Sequence, residues 1–310
     1  MLLIASTLCC LRPEVASAGG ADCMPTYYRA KSPACIDAIF AAIQQAPPRT
    51  VPNNLVGFLA ELFRSSSKER ERILTATSSD YLKSVTLTSL WLAGLTEEAR
   101  RFAATNNLSA PLEQLAKSSL VALDAIKPSS LPGDNDLLIG AYMASGNTDF
   151  IQRILGNYSS ADDEMVRDGL RMGFMMSKFG PNLAPKGRAP VMTRVACEKY
   201  QCKSDARRLL RVMTLASALW ALQSLSQQDE RIKKTLNSFF TGDPRLKTSF
   251  LIEQNAFANY LTTVVGLTAL NNPAGGEPSP GYAAMSKSAD IYEKLGPANE
   301  AFAPLQDIKK

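Results

Sequence analysis

The chain has 310 residues, 45% hydrophobic and 20% charged, an ordinary globular balance that excludes intrinsic disorder over most of its length. Its 34 Lys and Arg against 29 Asp and Glu leave a net charge of +5, spread thinly and accompanied by no nucleic-acid motif, so no nucleic-acid partner is expected. Histidine is absent, which removes Ser-His-Asp and Cys-His nucleophilic machinery, His-ligated zinc and imidazole pH sensing, and leaves carboxylate, Tyr, Lys or Ser-Lys chemistry for an enzyme.

Residues 1–18 read as a secretory signal. Leu2 to Leu11 is an uncharged apolar run too short to span a bilayer, and Ala16-Ser17-Ala18 offers the small-x-small pattern of a cleavage site before Gly19. No basic residue precedes the apolar core, so either the start lies upstream or the signal is atypical. The compartment implied is the periplasm of a Gram-negative bacterium or the exterior, with no transmembrane helix after cleavage.

An N-terminal helical region is predicted over 19–132. Ile36, Ile39, Phe40 and Ile43 give a helix over Ala34 to Gln45, stopped by Pro47-Pro48. Leu55, Phe58, Leu59, Leu62 and Phe63 form the next apolar face, and Lys68 to Ala76 follows behind possible caps at Ser65-Ser66-Ser67. Asp80 to Leu92 and Glu97 to Thr105 pair across Gly94-Leu95-Thr96. Ser109 caps a longer helix expected to reach Ile126, before the loop Lys127 to Gly133.

A C-terminal helical region with central core helices is predicted over 133–271. Asp136 to Ser145 turns at Gly146-Asn147 into Thr148 to Leu155, and Asp162 to Phe179 is expected to stop at Gly180-Pro181. Helices at Val191 to Tyr200, Ser204 to Ser226, Glu230 to Phe240 and Pro244 to about Leu270 complete it. Leu209 to Leu222 is apolar nearly all round but too short to span a bilayer, hence a core helix; Glu253, Gln254, Asn255 and Asn259 assign Phe250 to Leu270 to the core as well. Residues 272–310 are a Pro/Gly linker, a short helix near Ala283 to Leu295 and a polar tail. No period-two strand pattern or Asn-Gly or Asp-Gly hairpin turn occurs, so the fold is all-α.

Four cysteines remain after cleavage, Cys23, Cys35, Cys197 and Cys202, and in an exported chain they read as two disulfides. Three connectivities are open, with local pairing preferred. Residues five apart on an unbroken helix rise about 7.5 Å and point about 140° apart. A Cys197–Cys202 bond therefore requires a helix break between them. Neither a metal nor a cofactor is expected from this spacing.

Leu138, Tyr142 and Gly146, with Ile151 and Leu155, fall at the spacing of a tetratricopeptide helix, turn and second helix; Leu87, Leu90, Gly94 and Ala99 echo it. These two patches, about 40 residues in all, resemble tetratricopeptide-like helical-hairpin repeats. Gly94 and Gly146 lie 52 residues apart, whereas those units recur about every 34. The resemblance implies an irregular stack of antiparallel helical hairpins with a concave binding face.

Asp134-Asn135-Asp136 and Asp162-Asp163-Glu164 read as helix-start groups rather than metal ligands. Ser65-Ser66-Ser67-Lys68 with Lys247-Thr248-Ser249 matches the nucleophile pattern of penicillin-recognising enzymes only formally, since those enzymes need a mixed α/β domain. Glu253, among Phe250, Leu251, Ile252 and Phe257, is the acid expected to be buried and the single candidate catalytic group. A helical array with one catalytic Glu would resemble lytic transglycosylases, but the Glu-Ser of those enzymes occurs nowhere in the chain. The basic clusters Arg207-Arg208-Arg211, Arg231-Lys233-Lys234 and Lys186-Arg188 read as solvated helix faces that could meet anionic lipid.

The expectation is therefore an exported, non-enzymatic helical scaffold binding a protein or peptide partner between helical hairpins. Tyr142 and Tyr158 are its contact candidates, because aromatic side chains dominate protein-binding energetics. The alternatives are a carboxylate-dependent cell-wall glycan hydrolase using Glu253, and an envelope protein contacting anionic lipid.

Overall fold

Helix-favouring apolar periodicity, punctuated by Ser, Asp and Gly, carries into a computed structural model that describes residues 21–45, 52–128, 131–183 and 206–270. Among these residues the structure is helical with no strand. The expected signal, the helices near 191–200 and 283–295, the linker after 271, and Cys197 and Cys202 lie outside the described residues. The chain divides into two units: 1–129, 133–156 and 227–230 form the first, and 130–132, 157–226 and 231–310 the second.

Unit 1 begins with a 3₁₀ turn at Ala21–Thr26, then α1 (Tyr27–Ala30) and α2 (Pro33–Gln45). A Cys23–Cys35 disulfide ties the turn to α2. The core is built around α3 (Asn53–Ser65), whose residues from Leu55 to Phe63 are all buried. Ser66 ends α3 and caps α4 (Ser67–Ala76) by accepting from Glu69 N, so the serine run does serve as a cap. Ser79 does the same for α5 (Asp80–Leu92), accepting from Leu82 N. α5 packs on α3, with Ser89 Oγ donating to the Val56 carbonyl at 3.2 Å. Gly94, at φ +76°, turns α5 into α6 (Thr96–Thr105). That conformation is strained for any residue with a Cβ.

α7 (Ser109–Lys117) is shorter than its sequence suggests. The expected helix to Ile126 stops at Ser118, which is extended, and a 3₁₀ turn at Leu123–Ala125 follows. The reason is packing: α7 buries no side chain, so nothing supports propagation through Ser118-Ser119, while Leu123 and Ile126 reach the core from the irregular segment. α8 (Pro132–Ser145) starts four residues before Asp136, with Pro132 as its first residue. Asp134 lies in its first turn, and Asn135 is buried within the helix rather than acting as a terminal cap.

Two glycines let α8 cross α3 at backbone distance. A Cβ on Gly57 would lie 1.9 Å from the Leu137 carbonyl oxygen, and one on Gly140 would lie 1.9 Å from that of Asn54. Gly146, at φ +71°, closes α8 beneath the Tyr28 ring before α9 (Asp149–Ser159), which extends past the expected end at Leu155.

Unit 2 contains α10 (Asp163–Leu183), α11 (Ala206–Ser226), α12 (Glu230–Gly242) from Arg231 onward, and α13 (Pro244–Leu270). Asp162 accepts from Met165 N at 2.9 Å and Asp243 from Arg245 N at 2.8 Å, so acids cap α10 and α13 as their positions imply. α10 runs through Gly180-Pro181 and ends at Leu183, three residues beyond the glycine. Pro181 removes one backbone bond near the end of a 21-residue helix and so shifts the terminus rather than setting it.

α10 and α11 form the closest pair in this unit. A Cβ on Gly169 would meet Leu215 Cβ at 2.5 Å, and one on Gly173 would meet Leu219 Cβ at 2.9 Å. α11 buries Val212, Leu215, Ala216, Ala218, Leu219, Leu222 and Leu225, while Leu210, Met213 and Trp220 stay partly exposed. Its span Arg207–Ser226 is long and apolar enough to cross a membrane by length and composition, and just over half of it is buried within the protein.

Candidate functional site

A half-open cavity of about 300 Å³ lies in unit 2 where α11, α12 and α13 meet. Leu219, Leu236, Phe240 and Phe250 line it as apolar groups. Phe240 and Phe250 stack with ring centroids 4.5 Å apart and planes at 20°. Tyr158 meets Phe240 edge-on at 5.3 Å, and Phe174 packs against both Phe250 and Phe257, so the apolar wall is fixed from behind. The helical spacing of Phe240 and Leu236 on α12, and of Phe250 and Gln254 on α13, places each pair on one face.

Amides and hydroxyls surround this wall: Gln223 and Ser226 from α11, Asn237 and Thr241 from α12, Gln254 from α13. Lys233 and Lys247 complete the lining, which includes no carboxylate. Gln223 Oε1 is buried and accepts no hydrogen bond. A buried acceptor without a donor costs about 1–3 kcal/mol. Leu251, also a lining residue, is 45% exposed, and the adjacent Ile252 is 56% exposed.

Glu253 lies on α13 but is not among the lining residues. Its side chain is buried, and Arg171 Nε donates to Oε2 at 2.6 Å. Asp168, also buried, pairs with the same guanidinium at 3.6 Å. Burial pushes the Glu253 carboxyl above its ordinary range, opposed by the hydrogen bond and charge of Arg171. The burial expected from sequence is therefore present. Its partner was not readable, since Arg171 lies 82 residues away.

Tyr142 and Tyr158, the contact candidates from sequence, are both fully buried and offer no surface to a partner. Tyr158 is held in unit 2, where its phenol donates to the Leu215 carbonyl at 2.6 Å. Burial raises its pKa, keeping it a neutral donor. Tyr142 is held in unit 1 by Asp229. The Asp229 carboxylate accepts from Tyr142 and, at 2.7 Å, from Tyr28, while Arg29 Nη2 pairs with its other oxygen at 3.3 Å. Burial, then the hydrogen bond to Asp229, raises the Tyr142 pKa. Both tyrosines, contact candidates by residue type, are instead polar anchors of their cores, a role that buried phenols take when a partner is in reach.

Of the cysteines, Cys23 and Cys35 are bonded, with Cα atoms 5.9 Å apart. Among the described residues no group of three or more acidic or sulfur ligands could hold a metal ion. Arg208 faces Asp162 and Glu164, and Arg211 donates to Ser160, so two of the three arginines in that basic cluster make local contacts. No family model, curated protein or solved structure matches the chain.

Proposed function

We propose that the protein is an exported, non-enzymatic helical scaffold that binds a peptide segment of a protein partner in the cavity between α11, α12 and α13. The observation that carries this reading is the composition of that cavity: a stacked aromatic wall ringed by amide and hydroxyl groups, with the exposed Leu251 in its lining and the exposed Ile252 next to it. Apolar anchors surrounded by main-chain-compatible hydrogen-bonding groups are what peptide recognition needs. The Cys23–Cys35 bond supports an oxidising compartment and hence export. The glycine turns at Gly94 and Gly146 are what the tetratricopeptide-like part of this reading rests on.

A glycan hydrolase built on Glu253 gains little from a carboxyl that is buried and already paired with Arg171. The test is a photocrosslinking amino acid placed at Leu251 or, as a control in unit 1, at Arg100, with the protein expressed in its host. A defined polypeptide adduct at Leu251 that is missing at Arg100 is expected. Equal adducts at both positions, or none at Leu251, would overturn the reading. Salt-sensitive liposome binding lost on replacing the exposed Arg231 and Lys234 would instead support contact with anionic lipid.

A further inference from the structure

We infer that Met165, Met172 and Met213 form a reversible oxidation site that sets how tightly α10 and α11 hold together in unit 2. The inference goes beyond the binding reading above and does not depend on it. Both described cysteines are already joined in the Cys23–Cys35 bond, so among the described residues methionine carries the sulfur left to react. Met24 and Met143 are 9% and 8% exposed and belong to the core. Met165, Met172 and Met213 are only half-buried, and all three pack on one small apolar cluster, Leu209 and Val212 of α11. Oxidation of methionine follows exposure, so these three are the sulfurs a peroxide reaches first.

The place of these thioethers gives oxidation a consequence. Met165 and Met172 lie seven residues apart, about two helical turns, on one face of α10. Gly169 and Gly173 share that side, which is turned to α11: a Cβ on them would meet Leu215 Cβ at 2.5 Å and Leu219 Cβ at 2.9 Å. Reduced, the flexible and polarisable thioethers pack along this seam against Val212, which is fully buried. With hydrogen peroxide, a sulfur lone pair attacks one peroxide oxygen. The S–O bond forms as the O–O bond breaks, and the second oxygen leaves as water with both protons. Sulfur is oxidised by two electrons and the peroxide is reduced by the same two. The resulting sulfoxide is polar, and burying it without a donor is costly, so it turns to water and withdraws from Leu209 and Val212. Methionine sulfoxide reductase returns the thioether and restores the seam.

The experiment treats the full chain with hydrogen peroxide, follows each methionine by peptide mass spectrometry, and reads Tm and amide hydrogen exchange alongside. Met165, Met172 and Met213 are expected to take up oxygen several-fold faster than Met24 and Met143. As they do, Tm should fall by about 4 °C or more, and protection should be lost in α10 and α11 while α3 keeps its own. Methionine sulfoxide reductase should restore both readouts. Replacing all three by leucine (Met165→Leu, Met172→Leu, Met213→Leu) keeps the apolar volume, and this variant should hold its Tm and protection through the same treatment. Met213→Leu alone should lessen the fall, which keeps the test open if the triple variant does not fold. Equal oxidation rates at the buried and half-buried methionines overturn the inference. So does a fall in Tm that persists undiminished in the leucine variants, and so does full oxidation of the three with Tm and exchange unchanged.

Discussion

Replacing Gly140 with alanine should destabilise unit 1, although alanine is the better helix former. The gain from propensity in a helix interior is about 1 kcal/mol. Against it, the new Cβ would sit 1.9 Å from the Asn54 carbonyl oxygen and 2.7 Å from the Phe58 nitrogen, both backbone atoms that cannot rotate away. Relief requires α8 to withdraw from α3 by about 1 Å, which forfeits a quarter to a half of the dispersion energy of the contacts it opens. With 40–60 such contacts per buried side chain at about 0.1–0.2 kcal/mol each, loosening even two side chains costs about 3–5 kcal/mol. The net expectation is a loss of about 2–4 kcal/mol, read as a fall in Tm of about 5–15 °C. Gly57→Ala strikes the same crossing from the other helix, through the Leu137 carbonyl. The double variant should therefore lose less than the sum of the singles, because the first alanine has already parted the helices. Gly242→Ala is the control: a Cβ there meets nothing within 4 Å, so Tm should hold or rise slightly. Thermal or urea unfolding of the four variants checks the argument. A stabilised Gly140→Ala, or strict additivity with Gly57→Ala, would mean that the helices do not cross at these glycines.

Other outcomes follow from the same geometry. Reducing Cys23–Cys35, or replacing both with Ser, opens a loop of 12 residues and should cost about 3 kcal/mol, seen as a lower urea midpoint with reductant. Asp136 is half-buried, and desolvation pushes its carboxyl to about 7 from an ordinary 3.8. Between those values the folded chain holds more protons than the unfolded one. Its contribution is thus fully present below about pH 4 and is lost as pH rises through 7, at up to about 1.4 kcal/mol per pH unit. Asp136→Asn should flatten that slope and raise stability at pH 8; an unchanged urea midpoint at both pH 5 and pH 8 would refute the shift. Tyr142→Phe leaves Asp229 short of one donor and should cost about 1–3 kcal/mol, with a smaller effect from Tyr28→Phe at the more exposed phenol. Glu253→Ala strands Arg171 with Asp168 alone and should cost more than Glu253→Gln, which retains an acceptor at the same place.

The helices were legible wherever local chemistry alone sets them. Asp80 to Leu92 is the clearest case, with Gly94 just beyond its end. Sequence reasoning failed where tertiary packing decides. Leu123 and Ile126 carry helical spacing, yet they enter the core from irregular backbone because α7 has no buried face to extend. Gly180-Pro181 looked like a stop, and the helix ends just past it. The tyrosines were judged by residue type, but their roles are set by Asp229 and the Leu215 carbonyl, 87 and 57 residues away. The cavity was equally hidden, since its lining is assembled from three helices and only the apolar run Leu209 to Leu222 stood out. A signal the sequence reading passed over is Gly-x-x-x-Gly at 169 and 173, whose spacing matches the close α10–α11 contact.

The four residues at 227–230 give unit 1 an unusual dependence on translation. Its first 156 residues leave the ribosome, and pass through any export channel, long before Asp229 does. Until then Tyr28 and Tyr142 have no carboxylate to accept their hydrogen bonds, across separations of 201 and 87 residues. Closing so long a loop is slow relative to forming the local helices. The nascent unit must therefore persist as helices without their final polar anchor, a stretch of time in which a holding chaperone has something to hold. A fragment ending at 156 would be frozen in that state.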